Sequence, residues 1–185
     1  MFLRPIRLAQ AIVLAGVAAL IAVPAVLADT APATASVTGG ALSESTASTP
    51  SVSATLNGTN QVPTYTMDIA TNDRTGTGSG WNLTVTSTRF ETAGGKFFSN
   101  TASQVTGATS ACARGTCTPP TNSITYPLTL PAGATAPTAV KLFNAAADTG
   151  MGDFTVTPTV GVTIPANAYA GTYTSTITLA VASAP

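Results

Sequence analysis

Hydrophobic and polar residues alternate along most of this chain. Ser51 to Leu56 sets Val52, Ala54 and Leu56 against Ser and Thr, and Tyr65, Met67 and Ile69 form the next apolar face. After the glycine-rich turn Gly76 to Gly80, Trp81, Leu83 and Val85 oppose Asn82, Thr84 and Thr86. The period of two returns at Ile124, Tyr126, Leu128 and Leu130, and again around Val140 and Leu142. It recurs in Phe154, Val156, Val160, Val162 and Ile164, and last in Tyr173, Ser175, Ile177, Leu179 and Val181. Successive side chains of an extended strand point to opposite faces, so each run predicts a strand with one buried face. The stretch from Gly94 to Pro120 shows little periodicity and predicts loops, with one or two weak strands near Phe97 and Gln104. Only Ala139 to Asp148 has a helical option, with Asn144 to Ala147 as one turn.

About 7–10 short strands at even spacing, without intervening helices, predict an all-β fold. The expected architecture is a single antiparallel β-sandwich of Ig-like or Greek-key type, preceded by a signal-peptide helix. Parallel pairing through helical crossovers is not expected.

The N-terminus changes the picture. Arg4 and Arg7 form a basic start, Ala11 to Val23 is apolar and uncharged, Pro24 breaks it, and Val26-Leu27-Ala28 supplies small residues for cleavage before Asp29. The apolar run is shorter than the ~20 residues a membrane span needs, so it predicts a cleaved secretory signal rather than an anchor. The expected organisation is a signal peptide over 1–28, a flexible mature end over 29–34 and one domain over 35–185. No other stretch is apolar enough to cross a bilayer, and neither a lipobox cysteine nor a sortase-type ending is visible.

Composition narrows the function. Charged residues make up 8% of the chain, against about 25% in ordinary soluble domains. Loss of Arg4 and Arg7 leaves the mature chain weakly acidic, which excludes nucleic acid and anionic membrane surfaces as partners. The chain has no histidine, so the usual general base and the commonest metal ligand are missing. Asp148 and Asp153 flank Thr-Gly-Met-Gly, and Asp68 and Asp73 bracket another turn; these read as turn formers rather than cation ligands. No catalytic residue, cofactor or metal is expected, and the chain reads as a binding or structural protein rather than an enzyme. Cys112 and Cys117, the two cysteines of an exported chain, are expected to form a disulfide that staples a loop.

Two roles stand open for Trp81: a core residue under the sandwich, or a ring that meets a partner. Here a resemblance enters. Trp81-Asn82-Leu83, in a strand running on to Ser87 and Phe90, resembles the Trp-x-Leu motif of the WxL-domain cell-surface proteins of Gram-positive-type bacteria. The run from Tyr169 through Gly171 and Tyr173 to Ile177, Leu179, Val181 and Pro185 is similar to that family's C-terminal motif. One departure stands out: the family's second motif carries its own Trp-x-Leu, and this chain has Leu179-Ala180-Val181 there. The resemblance implies a secreted, wall-associated surface protein held non-covalently by peptidoglycan or another cell-wall polymer, with other surface proteins as further partners. It makes Trp81, Leu83, Tyr169, Tyr173 and Leu179 the wall-binding candidates. Trp81 is expected to be partly buried, with an exposed edge beside Leu179 or Tyr173. The alternative is a fimbrial or coat-like subunit that self-assembles, because Ala170 to Thr174 is also similar to the last strands of coat and pilin sandwiches. Against donor-strand assembly, Asp29 to Thr38 is too irregular for a donor strand.

Overall fold

The computed structural model describes residues 30–185. The expected signal peptide, 1–28, lies outside the described residues. The chain divides at Ser36; of the first unit, residues 30–36 are exposed and carry no strand. The second unit, Val37–Pro185, is built of strands alone among its described residues.

In chain order the strands are β1 (Leu42–Ser45), β2 (Thr64–Thr66), β3 (Ile69–Asp73), β4 (Trp81–Thr88), β5 (Ser103–Arg114), β6 (Leu128–Thr129), β7 (Ala132–Gly133), β8 (Val140–Ala145), β9 (Gly152–Val162) and β10 (Ile177–Ser183). One sheet runs β1-β3-β9-β5-β6, with β2 beside β3 on the edge of β9. The other is centred on β4, with β10 on one side and β7 and β8 on the other. All pairings are antiparallel except the two-residue parallel contact of β4 with β7. The fold is thus an all-β sandwich.

Alternation places the core. Phe154, Val156, Val160 and Val162 of β9 are buried while the intervening threonines are not, and Trp81, Leu83 and Val85 do the same in β4. Ile69, Val105 and Leu142 complete the contact between the sheets. Full burial of each such side chain contributes about 1.5–3 kcal/mol. Pro158 sits in the middle of β9, where a missing N–H would ordinarily break a ladder. Its carbonyl accepts from Met67 N at 3.3 Å. The N and O of one strand residue point the same way, so the absent donor faces the Met67–Asp68 step between β2 and β3, where the ladder is already interrupted.

Four expectations are corrected. Ser51 to Leu56 forms no strand; its backbone pairs with neither sheet, and only Val52 of the six is half-buried. Gly94 to Pro120 holds the longest strand, β5, paired along β9; Phe97 makes only an isolated bridge to Glu91. The helical option for Ala139 to Asp148 is not taken: the strand expected around Val140 and Leu142 forms as β8 and is followed by a turn, because pairing with β4 overrides the helix preference of its alanines. Ile124 to Leu130 keeps its alternating burial but ladders only at Leu128–Thr129. Its first half is tied to β8 by side chains instead. Asn144 N donates to Asn122 Oδ1 at 3.1 Å, Ser123 N donates to Asn144 Oδ1 at 2.8 Å, and the Tyr126 hydroxyl donates to Leu142 O at 2.7 Å.

Cys112 and Cys117 are bonded, with Cα atoms 5.9 Å apart, at the end of β5 opposite Phe154. A ring this small constrains the unfolded chain by about 2 kcal/mol. Replacing both cysteines by serine is expected to lower the unfolding free energy, measured by urea titration, by that amount. Intact mass without reductant should be two hydrogens below the reduced mass; free thiols in the denatured protein would refute the assignment.

Candidate functional site

The two motif strands are neighbours. β10 pairs antiparallel with β4, setting Val181 opposite Leu83, Leu179 opposite Val85 and Ser183 opposite Trp81. Trp81 and Leu83 are both 0% exposed. The indole of Trp81 stacks on Phe143 with ring centroids 5.9 Å apart, and its Nε1 donates to Gly150 O at 2.9 Å. Gly150 sits at φ 72°, and a Cβ there would lie 2.7 Å from Nε1. The polar edge of the ring is therefore satisfied and sealed inside the protein. The expected exposed edge is absent, and the neighbours expected for it lie elsewhere. Tyr173 sits just before Thr174, which bridges to Glu91 beyond the far end of β4, roughly 25 Å of strand away from Trp81. Asn82, on the other face, donates to Ala184 O at 2.7 Å.

The candidates from the second motif lie at that far end. Tyr173 stacks on Phe98 with centroids 4.0 Å apart, and its hydroxyl donates to Tyr169 O at 3.0 Å. Phe90 follows, 6.2 Å from Phe98. Tyr169 is 63% exposed. Behind these rings opens a groove of about 630 Å³, walled by Pro50 to Leu56 on one side and Ala168 to Tyr173 on the other, with Tyr65, Val162 and Ile164 in its lining. A smaller cleft of about 400 Å³ shares Pro50, Tyr65, Phe90 and Tyr173 and runs on to Leu179, which is half-buried. The structure thus gathers Tyr169 and Tyr173 at the groove, puts Leu179 at the end of the adjoining cleft, and leaves Trp81 and Leu83 in the core.

Local chemistry explains the groove. The chain reverses at Thr92 to Lys96, where Thr92 N donates to Lys96 O at 2.8 Å and Lys96 N donates to Thr92 Oγ1 at 3.1 Å. Gly95, at φ 75°, takes the left-handed conformation that other residues avoid. The returning strand then lays Phe98 on Phe90, with Phe98 N donating to Phe90 O at 3.0 Å. The same reversal lifts the Lys96 ammonium over the exposed ring of Tyr169, 4.4 Å from its centroid. Arg89 lies 3.6 Å over the ring of Phe97, which is 54% exposed, and pairs with Glu91 at 3.0 Å. Burial pushes the Tyr65 hydroxyl up to about 12, so it stays neutral in the lining. Among the described residues the groove lining carries no carboxylate and no amine. It offers flat apolar rings, threonine and serine hydroxyls and one neighbouring cation.

Sequence reasoning missed Tyr65, Phe90, Phe98 and Lys96. The available signal was the close spacing of Phe90, Phe97 and Phe98 around Gly94-Gly95, three aromatics in a segment otherwise rich in small residues. A family model described as "WxL domain surface cell wall-binding" matches residues 34–185. No curated protein and no solved structure matches the chain.

The burial difference between the two aromatics gives a direct test. Trp81→Ala is expected to lower stability by about 3–5 kcal/mol, as large core truncations do. Tyr169→Ala should change it by less than about 0.5 kcal/mol, as exposed substitutions do. Urea midpoints of the two variants measure both, and equal midpoints would refute the core assignment of Trp81.

Proposed function

We propose that this chain, which belongs to the WxL-domain family of surface cell-wall-binding proteins, holds peptidoglycan non-covalently in the aromatic groove between Pro50–Leu56 and Ala168–Tyr173. The groove is the observation that carries this reading. Its volume of about 630 Å³ lies within the range of sites that enclose small ligands. Its mouth presents Tyr169 flat and exposed, and the C–H face of a sugar ring is an apolar surface that stacks on such a ring. Hydroxyls from Ser51, Ser53, Thr55 and Thr172 line the same space and suit the polar edges of a glycan. Tyr169 and Tyr173 are the contact residues in this reading. Trp81 and Leu83 act indirectly, by packing the strand against which β10 aligns.

Purified sacculi test it. Wild-type protein is expected to sediment with them, and Tyr169→Ala to bind roughly two- to tenfold more weakly, the range expected for loss of one aromatic stack. Its melting temperature should stay unchanged. Wild-type protein that stays in the supernatant would overturn the reading.

One observation favours a second reading, a subunit that self-assembles. β10 is an edge strand. The bonds Thr88 N to Thr176 O and Ala184 N to Gly80 O set the register so that the backbone groups of Ile177, Leu179 and Val181 point away from β4. Among the described residues these groups have no backbone partner. Such an edge can accept a strand from another chain. In this reading the apparent mass on gel filtration rises with concentration, and Leu179→Pro, which removes an outward N–H, abolishes the rise. A monomer at every concentration would refute it.

A further inference from the structure

We infer that the groove is selective for an anionic wall glycan and that Lys96 is the residue that reads the charge. This rests on the wall-binding reading and adds the ligand's chemistry to it. Among the described residues three of the four other cations are already engaged. Arg74 pairs with Asp153 at 2.7 Å, Arg89 pairs with Glu91 at 3.0 Å, and Lys141 Nζ donates to Pro185 O at 2.8 Å. The fourth, Arg114, has no ion pair and stands opposite Asp153 at the end of β5, outside the groove lining. Lys96 is distinguished by its place, because Tyr169, the ring it meets, lines the groove. Its ammonium meets the ring of Tyr169 and no described carboxylate lies within ion-pair distance of it.

The position is built rather than incidental. The backbone of Lys96 is bonded to Thr92 in both directions, so the turn that presents it is closed. The nearest carboxylate in the sequence, Glu91, is held by Arg89. A sugar stacked on Tyr169 at the mouth of the groove would therefore lie beside an uncompensated positive charge. Wall glycans carry negative charge in two chemical forms: carboxylates on the peptide stems of peptidoglycan, and phosphodiesters on attached teichoic polymers. The shared chemistry is a polymer-borne anion beside a pyranose ring.

The test is sacculus sedimentation across a salt series, with wild type, Lys96→Gln, Lys96→Arg and Tyr169→Ala. An exposed ion pair is screened within about 10 Å at 0.1 M salt, so wild-type binding is expected to weaken several-fold between low salt and about 0.5 M. Lys96→Gln should bind several-fold more weakly at low salt and lose most of the salt dependence, while Lys96→Arg restores both. Tyr169→Ala should bind weakly yet remain salt-sensitive. Sacculi stripped of teichoic phosphate with hydrofluoric acid, and sacculi stripped of stem peptides with an amidase, identify the source of the anion. Whichever treatment abolishes the difference between wild type and Lys96→Gln removed the charge that Lys96 reads. If wild type sediments and Lys96→Gln sediments equally at every salt concentration, the inference fails while wall binding stands. If wild type does not sediment at all, the wall-binding reading itself is lost.

Discussion

The indole of Trp81 is the point on which the two sheets meet. It belongs to β4, stacks on Phe143 of β8, and bonds to the carbonyl of Gly150 in the turn that leads into β9. β4 is thereby fixed by one side chain to both β8 and the turn that follows it. The slot exists only because Gly150 has no side chain, since a Cβ would meet both Ala145 and the indole nitrogen. A buried ring whose single N–H is satisfied adds apolar burial without a stranded donor. From this anchor β9 runs back through the first sheet, and β5 and β3 pair along it.

That placement separates stability from recognition. Trp81 and Leu83 have no exposed surface, so in the proposed reading they act on binding only through the fold. β10 is aligned on β4 residue by residue, and the register that sets Val181 against Leu83 also delivers Tyr173 to Phe98 and Tyr169 to the surface. The departure at Leu179 fits the same geometry. Leu179 lines the cleft that adjoins the groove, so an aromatic ring in its place would project into that cleft. The shorter side chain leaves the space open and the groove correspondingly longer.

The alternating runs in β4 and β9 were legible because each strand is flanked on both sides and buries one face, the condition under which a period of two is written into a sequence. β5 was not legible. Its register with β9 shifts between Val105 and Gly107 and again between Cys112 and Arg114, and each such shift changes which parity faces inward. Ser51 to Leu56 misled for the opposite reason: it has the alternation of a strand but no partner, so its pattern records a segment lying over a groove. The stretch from Ala139 offered both alternation at Val140 and Leu142 and a run of helix formers, and pairing with β4 decides for the strand. At the site, the resemblance pointed to Tyr169 and Tyr173, whereas Lys96 and Phe98 depend on a reversal at Gly95 whose tertiary consequence no local pattern carries.

In a chain so poor in charge, the location of each charged side chain is informative. Where a surface is wetted mainly by threonine and serine hydroxyls, an ordinary lysine would be one among many and would signify little. Here charged residues are 8% of the sequence, and Arg74, Arg89 and Lys141 are held by ion pairs or a backbone contact, whereas Lys96 meets the exposed ring of Tyr169 with no ion pair. A cation left without a counter-charge costs nothing while it is solvated, and it strengthens as a partner once a ligand excludes water around it. The opposite end of the strand, around Trp81, is dry and has its polar atoms paired. One end of β4 thus holds the sandwich together, and the other opens onto the groove beside an unpaired cation.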